Sequence, residues 1–184
     1  ESDRLSRLSQ TLLRLSALEQ QSAPASLTEF SLDEQLRQVI LRLEPTWSAR
    51  GISWQLDLNS VTVVSDEELL SHVWMNIIQN AIKFSPENAV IEVRVFATDT
   101  DHGIGMDDAT VKRIFDRFYQ ADRSRKQEGV GLGLCLVKRI LDMLGGTVSV
   151  DSRPGEGSTF RVHVPFRPKY DEAAHTDERE GKSP

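Results

Sequence analysis

The chain of 184 residues carries one cysteine, Cys135. A single thiol excludes an internal disulfide and any metal site built from several cysteines. It lies inside the apolar run Leu132-Gly133-Leu134-Cys135-Leu136, which predicts a buried structural thiol, not a reactive one. Positive charge is in deficit: the net charge is −6 and the pI about 5.3, which argues against a nucleic-acid binder. Long apolar runs are missing too. None approaches the roughly 18 residues of a membrane span, and no signal peptide opens the chain. With 39% hydrophobic and 27% charged residues, the composition fits one α/β-containing domain with an appendage.

Three short pieces carry chemistry. Asn76 and Asn80, in Asn76-Ile77-Ile78-Gln79-Asn80-Ala81-Ile82-Lys83, stand one helical turn apart. That spacing stacks both amides on one helix face, where their carbonyl oxygens suit a hard cation such as Mg²⁺. Asp101-His102-Gly103-Ile104-Gly105 follows. Its aspartate can accept a hydrogen bond from a purine amine while the glycines let the backbone come close. Gly129-Val130-Gly131-Leu132-Gly133-Leu134 opens an amphipathic run and offers bare N–H groups and a helix N-terminus to phosphates.

In this order the pieces resemble the boxes of the histidine-kinase ATP-binding domain, in the superfamily shared with DNA gyrase, a heat-shock chaperone and MutL. Residues 76–83 resemble the N box, 101–105 the G1 box and 129–134 the G2 box. Phe115-Asp116-Arg117-Phe118-Tyr119 resembles the F box, and Gly155-Glu156-Gly157-Ser158-Thr159-Phe160 the closing glycine segment. The match covers residues 31–165.

The resemblance implies that Asn80 is the principal Mg²⁺ ligand, with Asn76 beside it on metal or phosphate, and that Lys83 reaches the phosphates. Asp101 would receive the adenine amino group. Gly103 and Gly105 would flank the base, with Ile104 and Met106 lining the pocket. Gly129, Val130, Gly131, Leu132, Gly133 and Leu134 would cradle phosphates. Phe84, Tyr119, Phe118 and Thr159 complete the implied nucleotide-contacting set. Between the F and G2 boxes, residues 120–128 would form a lid, with Arg123, Arg125 and Lys126 supplying positive charge. Phe115 and Phe118 would anchor it by packing.

Asn76 separates branches of the superfamily. The gyrase, chaperone and MutL branches carry a glutamate there, a base that activates water. An amide cannot take a proton at neutral pH. Transfer to a protein side chain is therefore favoured over hydrolysis. An ATP-operated switch of the chaperone kind, or a module that binds partners without nucleotide, are the alternatives.

The implied fold is α+β, a two-layer sandwich with a mixed sheet covered by helices. Residues 1–19 place Leu5, Leu8, Leu12 and Leu15 at alternating steps of three and four, a heptad seam. This segment resembles the end of the kinase dimerisation helix; an amphipathic helix packed on its own domain is the other reading. Residues 20–30 read as a linker, 31–166 as the catalytic domain and 167–184 as a disordered tail. Ser31-Leu32-Asp33-Glu34 reads as a capping box that starts a helix with Leu36, Val39, Ile40 and Leu43 inward. Strands are expected over 52–58, 61–64, 90–96, 147–150 and 159–164, and helices over 66–84 and 132–144.

Two departures stand out. The family sends a strand out and another back before the G1 aspartate, but residues 87–100 hold only one. Either the hairpin is truncated or residues have dropped out of the segment; the second reading is preferred, because losing a central strand would expose a sheet edge and misplace Asp101. The phosphoacceptor is also absent. Of the four histidines, His72 precedes the N box, His102 sits in the G1 turn as a turn residue, His163 is in the final strand and His175 in the tail. No catalytic side chain is assigned, and nucleotide binding without autophosphorylation is expected. The intact protein would be a homodimeric sensor anchored in the membrane. This cytoplasmic part would partner its own dimerisation and phosphoacceptor domain and a response regulator.

Trp47, Trp54 and Trp74 are expected in the core. Lys112-Arg113 and Lys138-Arg139 read as solvated pairs, and Asp107-Asp108 as a helix cap with an acidic first turn.

Overall fold

A computed structural model describes residues 26–96, 132–153 and 156–165, together with Ser9, Leu13, Ser16, Ala17 and Phe115. Leu5, Leu8, Leu12 and Leu15, the G1 box, the lid, most of the F box and the tail lie outside the described residues.

Strand β1 (Thr28–Ser31) leads into helix α1 (Leu32–Arg42) and the short α2 (Glu44–Ser48). Strands β2 (Ser53–Leu58) and β3 (Thr62–Ser65) precede α3 (Glu67–Phe84) and β4 (Val90–Val95). After the undescribed segment come α4 (Gly133–Leu144), β5 (Thr147–Arg153) and β6 (Gly157–His163). The strands pair two by two among the described residues. β1 runs antiparallel to β3, β2 parallel to β4, and β5 antiparallel to β6. Parallel and antiparallel pairing both occur, as three two-stranded sheets among the described residues. β4 is the one strand described between α3 and residue 97, and the question of dropped residues beyond Phe96 falls outside the described part.

The helices form one layer because each has an apolar stripe at helical spacing. Leu36, Val39, Ile40 and Leu43 of the α1 stripe meet Leu70, Val73, Trp74, Ile78 and Ile82 of α3. Leu136, Val137, Ile140 and Leu141 of α4 complete the cluster, and Ile52 and Ile91 join it to the β2–β4 pair. Complete burial of such a side chain contributes roughly 1.5–3 kcal/mol. Trp74 enters the core with its polar edge satisfied: Nε1 donates to Gln35 Oε1 at 2.9 Å. The same Gln35 donates from Nε2 to the Glu67 carbonyl at 2.7 Å, so one buried amide joins α1 to α3. Trp47 and Trp54 are half-buried against the core and meet edge to face, with ring centroids 6.1 Å apart.

The helix ends follow local chemistry, with one correction. Asp66 caps α3, its Oδ1 accepting from Leu69 N at 3.0 Å, and the helix ends at Ser85 because Pro86 disfavours a helical residue before it. Helix α4 stops at Gly145, whose φ of 71° is left-handed. Gly146 is required for a different reason, since a Cβ there would fall 2.5 Å from the His163 carbonyl oxygen. Ser31 does start α1, but the capping box does not form: its hydroxyl makes no cap hydrogen bond and donates instead to Asp33 Oδ1 at 2.6 Å. The Ser31 hydroxyl, Arg37 at 2.7 Å and the Val61 amide at 3.3 Å hold the Asp33 carboxyl down to about 2. Residues 28–30, assigned to the linker from sequence, belong to β1. Cys135 is half-buried, not fully buried.

Two tests follow from this packing. Because the folded carboxyl of Asp33 titrates near 2 against an ordinary 3.8, its stabilisation is complete above the ordinary value and disappears as pH falls through the lower one. Asp33→Asn should flatten the acid dependence of the melting temperature over that window and leave its slope above pH 5 unchanged. Gln35→Leu should cost about 1–3 kcal/mol in urea unfolding, because the Trp74 N–H is left buried and unpaired.

Candidate functional site

Helix α3 buries one stripe and leaves a neighbouring one half-buried. On that second stripe Asn76, Asn80 and Lys83 follow one another at steps of four and three. The Asn76 side chain is fixed by its own helix: Nδ2 donates to the His72 carbonyl, one turn earlier, at 2.8 Å. This bond settles the amide's orientation and leaves Oδ1 as the atom it can offer a ligand.

That oxygen points at the start of α4. A Cβ built on Gly133 would fall 2.7 Å from Asn76 Oδ1, so any side chain there would push the amide aside, and glycine leaves it in place. Leu132 precedes the helix with its own side chain buried, and among the described residues no side chain caps the first turn. The first intrahelical bond runs from Leu136 N to Leu132 O. The amides of Gly133, Leu134 and Cys135 thus belong to the turn whose donors have no intrahelical acceptor. An amide oxygen and an uncapped positive helix end stand together, which suits a metal-bound phosphate. Leu132 and Leu134 can contribute through their backbone amides.

Lys83 Nζ lies 4.9 Å from the ring centroid of Phe84, and Phe84 is 65% exposed. A cation–π contact at such an exposed site is worth about 0.5–1 kcal/mol. Thr159 is exposed on β6, opposite Asp151 of β5. Lys138 is solvated as expected and pairs with Asp142 at 3.1 Å, whereas Arg139 is half-buried. Asp101, Gly103, Ile104, Gly105, Met106, Phe118, Tyr119, Arg123, Gly129, Val130 and Gly131 lie outside the described residues. The fold therefore brings together the N box and the end of the G2 box. Sequence reasoning missed Arg50, whose guanidinium reaches the end of α3; nothing in the local sequence marks a contact to carbonyls more than thirty residues away.

Among the described residues no cluster of three or more His, Cys, Asp or Glu could hold a metal. The metal-capable groups here are the asparagine amides. No helix of the described residues is long and apolar enough to cross a membrane.

Comparison with known proteins identifies the family. The family model described as histidine kinase-, DNA gyrase B- and HSP90-like ATPase matches residues 65–168. The sensor-like histidine kinase SenX3 of Mycobacterium tuberculosis is 32% identical over 97% of this chain, which spans 45% of that protein's length. Among solved structures, full-length ShkA in complex with AMPPNP superposes with a TM-score of 0.76 at 29% identity, covering 89% of this chain and 36% of that one. The mycobacterial sensor histidine kinase MprB gives a TM-score of 0.64 at 25% identity, covering 78% of this chain and 99% of that one.

Gly133→Ala tests the contact between the two boxes. The clash falls on the end of a side chain, and alanine favours a helix by about 0.5–1 kcal/mol over glycine. The melting temperature should hold or rise slightly while Asn76 is displaced. Binding of a magnesium–ATP analogue should then weaken in calorimetric titration although the fold is intact.

Proposed function

Because the chain belongs to the family of histidine kinase-, DNA gyrase B- and HSP90-like ATPases, we propose that it is the ATP-binding catalytic domain of a bacterial sensor histidine kinase. Its task is to hold ATP with Mg²⁺ and present the γ-phosphoryl group to a histidine of the dimerisation domain, for relay to a response-regulator aspartate. In the intact sensor this domain works on the cytoplasmic side, within a homodimer. The observation that carries the reading is the meeting of Asn76 with Gly133 at the uncapped start of α4.

The roles follow from the chemistry of each group. The amide oxygens of Asn80 and Asn76 are neutral, hard donors that suit Mg²⁺. Bound magnesium supplies charge neutralisation at the phosphates. Lys83 adds a mobile positive charge beside them, and the first-turn amides of α4 and the G2 glycines give fixed donors. Asp101 selects adenine through its amino group. Catalysis by such a set consists of positioning and electrostatics.

Asn76 also decides the reaction class. Its Nδ2 is committed to the His72 carbonyl, and its oxygen cannot accept a proton at neutral pH. With no base at this position, water is not activated and a protein side chain is the better acceptor. None of the four histidines of the sequence follows the phosphoacceptor pattern, so this chain supplies the donor half of the transfer.

Calorimetric titration with ADP and a non-hydrolysable ATP analogue, with and without Mg²⁺, tests the site. Binding should depend on magnesium and be lost in Asp101→Asn; a wild type that binds neither nucleotide would remove the proposal. Incubation with labelled ATP should leave no acid-labile label on the chain. Steady phosphate release that disappears in Asn76→Ala would place the chain with the water-activating branch instead.

A further inference from the structure

Arg50 lies at the turn into β2, yet its side chain is given over to the far end of α3. Nη1 donates to the carbonyl oxygens of Ile82 at 2.7 Å and Lys83 at 2.9 Å, and Nη2 donates to that of Ser85 at 2.6 Å. The last carbonyls of a helix have no intrahelical donor, and they form the negative end of its dipole. A planar guanidinium can serve several of them from one rigid fork, which an ammonium cannot.

The main chain around Arg50 is seated on the same turn. Asn88 N donates to the Arg50 carbonyl at 2.9 Å. A Cβ on Gly51, whose φ is 64°, would fall 2.2 Å from Asn88 Oδ1, so the backbone there packs flush against the exit from α3. Side chain and backbone grip that exit from two directions. One of the three acceptors is the carbonyl of Lys83 itself, and Asn80 stands on the turn before it.

The geometry points to Arg50 as a positioning residue for the phosphate end of the nucleotide site. Three of its five N–H donors go to main-chain oxygens, so it acts on ligand through the residues whose backbone it holds. Fixing the last turn of α3 sets where Lys83 and Asn80 stand relative to phosphate and metal. The groups it holds belong to the phosphate end, whereas the reading above gives the adenine to Asp101. This role rests on the nucleotide reading above.

That division supplies the test. The full 184-residue chain is titrated with a magnesium–ATP analogue by calorimetry, and with adenosine by ligand-observed NMR, at a temperature where circular dichroism shows each variant folded. Arg50→Met should weaken the analogue by about tenfold, as loss of a group supporting a metal site does, and leave adenosine affinity unchanged. Arg50→Lys, which keeps the charge but not the fork, should fall between wild type and Arg50→Met; it carries the test alone if Arg50→Met does not fold. Equal weakening of both ligands, or no change in the analogue, overturns the positioning role while the nucleotide reading stands. A wild-type chain that binds neither ligand overturns both.

Discussion

The first amides and the last carbonyls of an 18-residue helix need partners, and α3 finds them in Asp66 at one end and Arg50 at the other. Everything else about the molecule is arranged on that fixed axis. One stripe of α3 meets α1 and α4 and closes the core; the adjoining stripe is left half-solvated and carries the amides. A helix whose ends frayed would still bury Trp74 and Ile78 near its middle, but Lys83, one residue from the exit, would wander. The satisfied carbonyls thus connect an unremarkable feature of folding to the placement of a charged side chain.

The second constraint is one of size. Two helices that bring a polar side chain and a helix N-terminus together must leave no atoms between them, and Gly133 is what allows it. The bond from Asn76 to His72 turns the amide so that its acceptor faces that N-terminus. The result concentrates positive dipole and neutral oxygen donors in one place without burying an unpaired charge. In the reading proposed above, such a place would suit phosphate and metal together better than either separately, because each neutralises the field that opposes the other.

Much of this was legible from residues alone, and the failures have physical causes. Helices α1, α3 and α4 announce themselves because their apolar residues recur at helical spacing over three turns or more. The strand Thr28–Ser31 does not, because Phe30 is its one large apolar residue and its pairing comes from β3, more than thirty positions on. Helix α2 is too short to show a period. Ser31 and Glu34 satisfied the capping pattern, but Asp33 lies between them and takes the hydroxyl. Gly133 was read as a phosphate-binding glycine; its packing against Asn76 is a tertiary fact that no window of sequence contains. The same holds for Arg50, whose acceptors are main-chain atoms and so leave no trace in residue identity.

The parallel pairing of β2 with β4 has a consequence for how the molecule assembles. Parallel neighbours cannot be joined by a tight turn, and here the connection between them includes β3 and all of α3. The register from Ser53↔Val90 to Leu58↔Val95 can form only once that whole length has been gathered back onto the sheet. Closing such a loop costs entropy before any strand contact repays it, so the helix and the strand pair gain their stability in one cooperative step. The stripe of asparagines thus stands inside a closed circuit of chain, between the two strands that close it.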